Sequence, residues 1–151
     1  MRQDRLGTFE GKQSSNGGAK TITAKTGVAS TDVIDFTSDR DIGVGEPLVV
    51  VVVTSTLEDG DGDETYSVDV ETASAENFGT GKRTVATIGL VRGAPGIATA
   101  YLPKDGTVDR YLRLNFKNGG TSPSITVEDA YLVPEQFVPH DRQYPKAYSF
   151  S

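Results

Sequence analysis

In the stretch Arg110-Tyr-Leu-Arg-Leu-Asn-Phe116 every second residue is apolar, and no window of a dozen residues in the chain repeats apolar side chains at i, i+3, i+4 and i+7. A two-residue period places successive side chains on opposite faces of a strand, whereas a helix needs a period near 3.6. The chain therefore reads as all-β. Leu112, Leu114 and Phe116 should point inward, and Tyr111, Arg113 and Asn115 outward. Thr65 to Thr72 divides likewise, with Tyr66, Val68 and Val70 on one side and Ser67, Asp69 and Glu71 on the other. Leu48 to Thr56 carries five consecutive valines instead, which suits a strand covered on both faces.

Further short runs are expected to be strands: Val33 to Phe36, Arg83 to Val91, Ile97 to Leu102 and Ile125 to Val133. The alternation of the last slips near Glu128 and Asp129, as at a β-bulge. Turns are marked by Gly93-Ala-Pro-Gly96, Pro103-Lys-Asp-Gly106 and Asn118-Gly-Gly120. Glu58-Asp-Gly-Asp-Gly-Asp-Glu64 reads as the tip of a hairpin that returns through Thr65 to Thr72. Strands at this spacing indicate a jelly roll or β-sandwich of about eight strands, placed over residues 27–133.

The two ends differ from this middle. Residues 1–26 are polar, with Leu6, Phe9 and Ile22 as their large apolar groups, and read as an N-terminal arm. Residues 134–151 carry Pro134, Pro139 and Pro145 with Phe137, Tyr144, Tyr148 and Phe150. Prolines keep such a stretch out of a sheet centre, and the aromatics are many for a solvated tail. It is expected either to dock on a neighbouring subunit or to pack back on its own domain.

Composition excludes several classes of function. Cysteine is absent, so disulfides and thiolate-metal sites are excluded. The longest apolar run, Leu48 to Val53, is six residues, far below the ~20 that span a bilayer. The start of the chain has no apolar core of a signal peptide, so folding in the cytoplasm of the producing cell is expected. Net charge is −6, of which Ser55 to Thr80 holds −8 and the remainder +2. The first 26 residues carry five bases against Asp4 and Glu10. No dense cluster of Lys and Arg for binding phosphates emerges, and no nucleic acid partner is expected.

Motifs for catalysis or cofactors fail in detail. Asp59-Gly-Asp-Gly-Asp63 has the alternating carboxylates of a calcium loop, but an EF-hand needs Gly at the sixth position and Glu at the twelfth. Those positions hold Glu64 and Val70, so a solvated turn is preferred and no metal is expected. Gly79-Thr-Gly-Lys-Arg-Thr84 lacks the first Gly of a phosphate loop and has Arg83 where Ser or Thr is required. His140 is the single histidine and sits in the proline-rich tail beside Asp141, as a contact residue. No nucleophile elbow or triad is set up. The chain is expected to be no enzyme and to carry no cofactor. Arg113 is expected to face acids on the next strand, and Arg110 to hold a turn.

Val33-Ile34-Asp35, the run Asp41-Ile42-Gly43-Val44-Gly45-Glu46-Pro47-Leu48, the valine strand, Leu102-Pro103, Arg110-Tyr111-Leu112-Arg113-Leu114-Asn115 and Gly119-Gly120 follow one another in a familiar order. Over about residues 20 to 133 the chain resembles the small bacteriophage capsid cement (decoration) proteins related to one from a tail-fibre-switching Bordetella phage. The N-terminal arm is longer and more basic than in that family, and the acidic loop is elaborated. The resemblance implies a jelly roll that oligomerises, with a homotrimer ahead of a homodimer, on the virion exterior against the phage major capsid protein. Leu6, Phe9, Phe137, Tyr144, Tyr148 and Phe150 are the expected apolar anchors at the capsid and subunit interfaces. No membrane partner is expected. The rival reading is a carbohydrate-binding or host-adhesion jelly roll, for which Tyr66, Tyr101 and Tyr111 are the candidates within strands, Trp being absent.

Overall fold

The computed structural model describes residues 7–25, 27–36, 48–102 and 109–134. These form ten strands and no helix: β1 (Gly7–Glu10), β2 (Lys20–Ile22), β3 (Val28–Ala29), β4 (Ile34–Asp35), β5 (Leu48–Leu57), β6 (Thr65–Ala73), β7 (Arg83–Leu90), β8 (Ile97–Tyr101), β9 (Tyr111–Gly119) and β10 (Ile125–Pro134). One sheet runs β1-β10-β5-β8, with β2 continuing along the same edge of β10. The other runs β3-β9-β6-β7, with β4 continuing along the edge of β9. The ten short strands thus fill eight positions, because β1 with β2 and β3 with β4 are each one interrupted edge strand. Every ladder is antiparallel. With consecutive positions alternating between sheets except at the β6–β7 hairpin, this is the jelly-roll arrangement expected from the sequence.

Between the sheets lies the main core. Val50 and Val52 of β5 and Ala130 and Leu132 of β10 face Val68 and Val70 of β6 and Leu112, Leu114 and Phe116 of β9, all buried. The expected alternation of β9 holds. The slip in β10 is a bulge, and it has a counterpart: the β5–β10 register skips Ser55 on one strand and Glu128 on the other. Both strands thereby change which parity faces inward, so that Leu57, Ile125 and Val127 join the core. The two skipped residues are bonded to each other, the Ser55 hydroxyl donating to Glu128 Oε2 at 2.7 Å.

Two expectations need correction. Residues 58–64 do not cap a hairpin, because β5 and β6 belong to different sheets. The loop instead arches from one layer to the other at one end of the sandwich. Nor are residues 7–22 a free arm. β1 and β2 complete the edge of a sheet, and Phe9 and Ile22 lie in the main core, Phe9 with 0% exposure. Phe9 sits where the β1–β10 register shifts, a bulge that lets both Phe9 and its neighbour Glu10 turn inward. Few large apolar residues in the segment suggested an arm, yet an edge strand needs only one face of anchors. Phe9 is thus a core residue, not a partner anchor. Leu6 and the C-terminal residues Phe137, Tyr144, Tyr148 and Phe150 lie outside the described residues, as does the matching run Asp41 to Pro47.

Candidate functional site

The two outer faces of the sandwich are chemically opposite. On the sheet containing β5 and β10, alternation sends Val49, Val51 and Val53 outward, beside Tyr131 and Val133 of β10 and Ile97 of β8. Val49, Val51, Tyr131 and Val133 are exposed by 2% or less, so this outer face is an interior surface and not a wetted one. The valine run reads as covered on both faces, and it is. At the margin, Val53 and Ile97 are half-buried, and Tyr101, paired across from Val49, is 53% exposed. Among the described residues Tyr101 and Val91 are the exposed large hydrophobic side chains.

The outer face of the other sheet is a lattice of ion pairs. Asp69 and Glu71 on β6 were expected to point to solvent, but both are buried. Longer side chains on β9 lie over them: Lys117 Nζ pairs with Asp69 at 2.7 Å and Arg113 Nε with Glu71 at 2.9 Å. Thr87 Oγ1 donates to Asp69, and Asn115 Nδ2 to Glu71. Arg113 therefore faces an acid on the next strand, as its position implies, and also stacks 4.2 Å from the Phe78 ring centre. The Asp69 carboxylate beside it raises the pKa of Lys117 above its ordinary value. At the sheet edge Arg110 makes a bidentate pair with Asp35 at 2.7 and 3.0 Å, joining β9 to β4 instead of holding a turn. Arg83 meets Asp109 at 2.8 Å.

A third feature is the acidic arch between β5 and β6. Gly62 takes a positive φ of 73°, and the Gly62 N–H donates to the Asp59 carbonyl at 3.1 Å. Asp63 accepts from the Thr121 N–H at 3.1 Å and from its hydroxyl at 2.6 Å. These bonds hold the Asp63 carboxyl below its ordinary pKa, the Thr121 hydroxyl contributing most. Gly120 is obligatory beside it: its φ is 100°, and a Cβ there would meet Glu64 Cα at 2.6 Å and the Asp63 carbonyl oxygen at 2.7 Å. Carboxylate oxygens of Asp61, Asp63 and Glu64 all lie within 4.8 Å of one another. Sequence spacing concealed this group, because Glu64 falls where a calcium loop of the EF-hand kind has glycine.

The strand tyrosines do not form a row. Tyr66 is buried, donating its hydroxyl to the Glu58 carbonyl at 2.7 Å and accepting from the Ser124 N–H at 3.0 Å. Burial raises its pKa. Tyr111 lies under the Arg110 guanidinium, 5.0 Å from the ring centre. Tyr101 alone of the three is exposed. The histidine of the tail, His140, lies outside the described residues.

Fold and surfaces together define a jelly-roll module in which the outer side of one sheet is apolar and covered and that of the other is ion-paired. The family model Bbp16 matches residues 15–126, and the chain belongs to that family, a Bordetella phage protein family. No curated protein matches the chain. Among solved structures, it is similar to the CBM22-1–GH10 modules of Clostridium thermocellum xylanase 10B in complex with xylohexaose, at 17% identity and a TM-score of 0.48. That match covers 95% of this chain and 25% of the other. The xylan-binding module CBM15 is similar at 12% identity and a TM-score of 0.44, over 80% of this chain and 93% of that one.

Proposed function

We propose that this phage protein is a capsid cement protein, which catalyses nothing and binds the outside of a shell built from the major capsid protein. The observation that carries the reading is the exposed Tyr101 at the margin of one side, opposite an outer face laced with ion pairs. A protein set on a shell needs one side suited to protein and another suited to water. On the β10–β5–β8 side Val49, Val51, Tyr131 and Val133 are already covered within the chain, and the exposed margin of that side, at Tyr101, would be turned toward the shell. The ion-paired β9–β6–β7 side would be turned toward solvent. Many identical copies bind one particle, so a modest contact per copy suffices when copies also hold one another. A homotrimer remains the preferred assembly. The carbohydrate-binding alternative finds less support, since such modules present several exposed aromatics on one face and Tyr66 and Tyr111 are not available here.

Co-sedimentation with undecorated shells tests the reading. Wild-type protein should saturate the shells, and Tyr101→Ser should weaken binding by roughly tenfold, the scale of an aromatic anchor. Lys117→Gln, on the opposite face, should bind like wild type. Equal loss in both variants, or no binding by the wild type, would overturn the proposal.

A further inference from the structure

The arch between β5 and β6 leaves one polar atom unexplained. Glu64 is 1% exposed, yet its Oε1 has no hydrogen-bond partner. Its other oxygen, Oε2, accepts only a long bond from the Asp61 N–H at 3.3 Å. A carboxylate withdrawn from water with one oxygen unsatisfied is unfavourable unless a proton or a cation meets it. Two more carboxylates, those of Asp61 and Asp63, are gathered against it within 4.8 Å, an arrangement that like charges resist. Among the described residues no Lys or Arg forms an ion pair with any of the three. Lys25 acts on Asp63 through space, as the least of the influences on that group.

From this geometry we infer a divalent-cation site formed by Asp61, Asp63 and Glu64, with calcium as the ion it takes. All the donors are carboxylate oxygens, which select hard cations over zinc or copper. Oxygens on opposite sides of a calcium ion are about 4.6–5.2 Å apart, and neighbouring ones closer, a range that admits a group within 4.8 Å. Magnesium demands near-ideal octahedral geometry and gives up its water reluctantly, so a site entered by the buried Glu64 suits calcium better. Glu64 enters from the buried side and meets the charge its free oxygen lacks. Asp61 and Asp63 close the site from the solvent side, where the ion keeps bound water. Asp63 is also bonded to Thr121, so the ion ties the arch to the loop between β9 and β10. Two of the crossings between the sheets at this end, β5 to β6 and β9 to β10, would then be pinned by one cation.

The experiment uses the full chain, freed of metal by chelator and dialysis. Calorimetric titration with calcium chloride should give one ion per chain, and terbium should luminesce when Tyr66, at the foot of the arch, is excited. Thermal unfolding should move upward on addition of millimolar calcium and much less with equal magnesium. Asp61→Asn, an exposed change that spares the fold, should weaken calcium binding by on the order of tenfold or more. Glu76→Gln, an acid away from the arch, should bind calcium as wild type does. No saturable binding, the same upward shift with magnesium, wild-type affinity in Asp61→Asn, or equal loss in Glu76→Gln would each overturn the site.

Discussion

Asp63 illustrates how a single residue makes a loop depend on pH. Its carboxylate accepts two bonds from Thr121, which hold its pKa below the ordinary value in the folded state. A depressed acid stabilises the fold above its unfolded pKa, near ~3.9, and the contribution disappears as pH falls through the lower folded value. The arch should therefore loosen only in strong acid. A titration of the Asp63 carboxyl followed by NMR should show a midpoint below the ordinary aspartate value. In Thr121→Val the midpoint should rise toward the ordinary range. The charges on the ion-paired face follow a different logic, because Asp69 and Glu71 are buried under the side chains that neutralise them. Alternation at Tyr66 to Glu71 assigned these acids to the outer face correctly. Their burial was not legible, since it depends on Arg113 and Lys117 of a strand more than forty positions away.

At the scale of elements, the N-terminal strands are the instructive case. Few apolar residues between Gly7 and Ile22 suggested an arm, but β1 and β2 occupy the free edge of β10 and satisfy its backbone donors and acceptors. A sequence pattern cannot reveal that pairing, because the partner lies at Ile125 to Leu132, over a hundred residues further on. Phe9→Ala separates the two readings. As a fully buried side chain it should cost about 3–5 kcal/mol in chemical denaturation, whereas a free arm would leave stability unchanged. The bulges of β5 and β10 show the complementary case. The slip at Glu128 was visible in one strand, and its compensation at Ser55 emerged only when the two strands were set side by side.

For the whole molecule, the decisive property is that one sheet is covered on both sides while the other turns an ion-paired face outward. The described residues supply a core between the sheets that reaches from Phe9 to Leu132, and the domain is expected to fold without its C-terminal segment. A chain truncated after Pro134 should retain cooperative unfolding by circular dichroism and lose binding to undecorated shells. Normal binding by the truncated protein would remove Phe137, Tyr144, Tyr148 and Phe150 from the expected set of anchors. Loss of cooperative unfolding would place that segment in the fold itself.

Local pattern determined the all-β class, most strand positions, the inward faces of β6 and β9 and the double covering of the valine strand. Each of these rests on side chains a few positions apart, whose directions follow from strand geometry alone. Tertiary structure decided which strands share a sheet, that Phe9 belongs to the core, and that the acidic segment is an arch where Glu64 is buried beside Asp61 and Asp63. Those outcomes depend on pairings between distant parts of the chain, and a jelly roll places sequence neighbours in opposite sheets. What stands across from a residue is therefore fixed by topology, which no local period records.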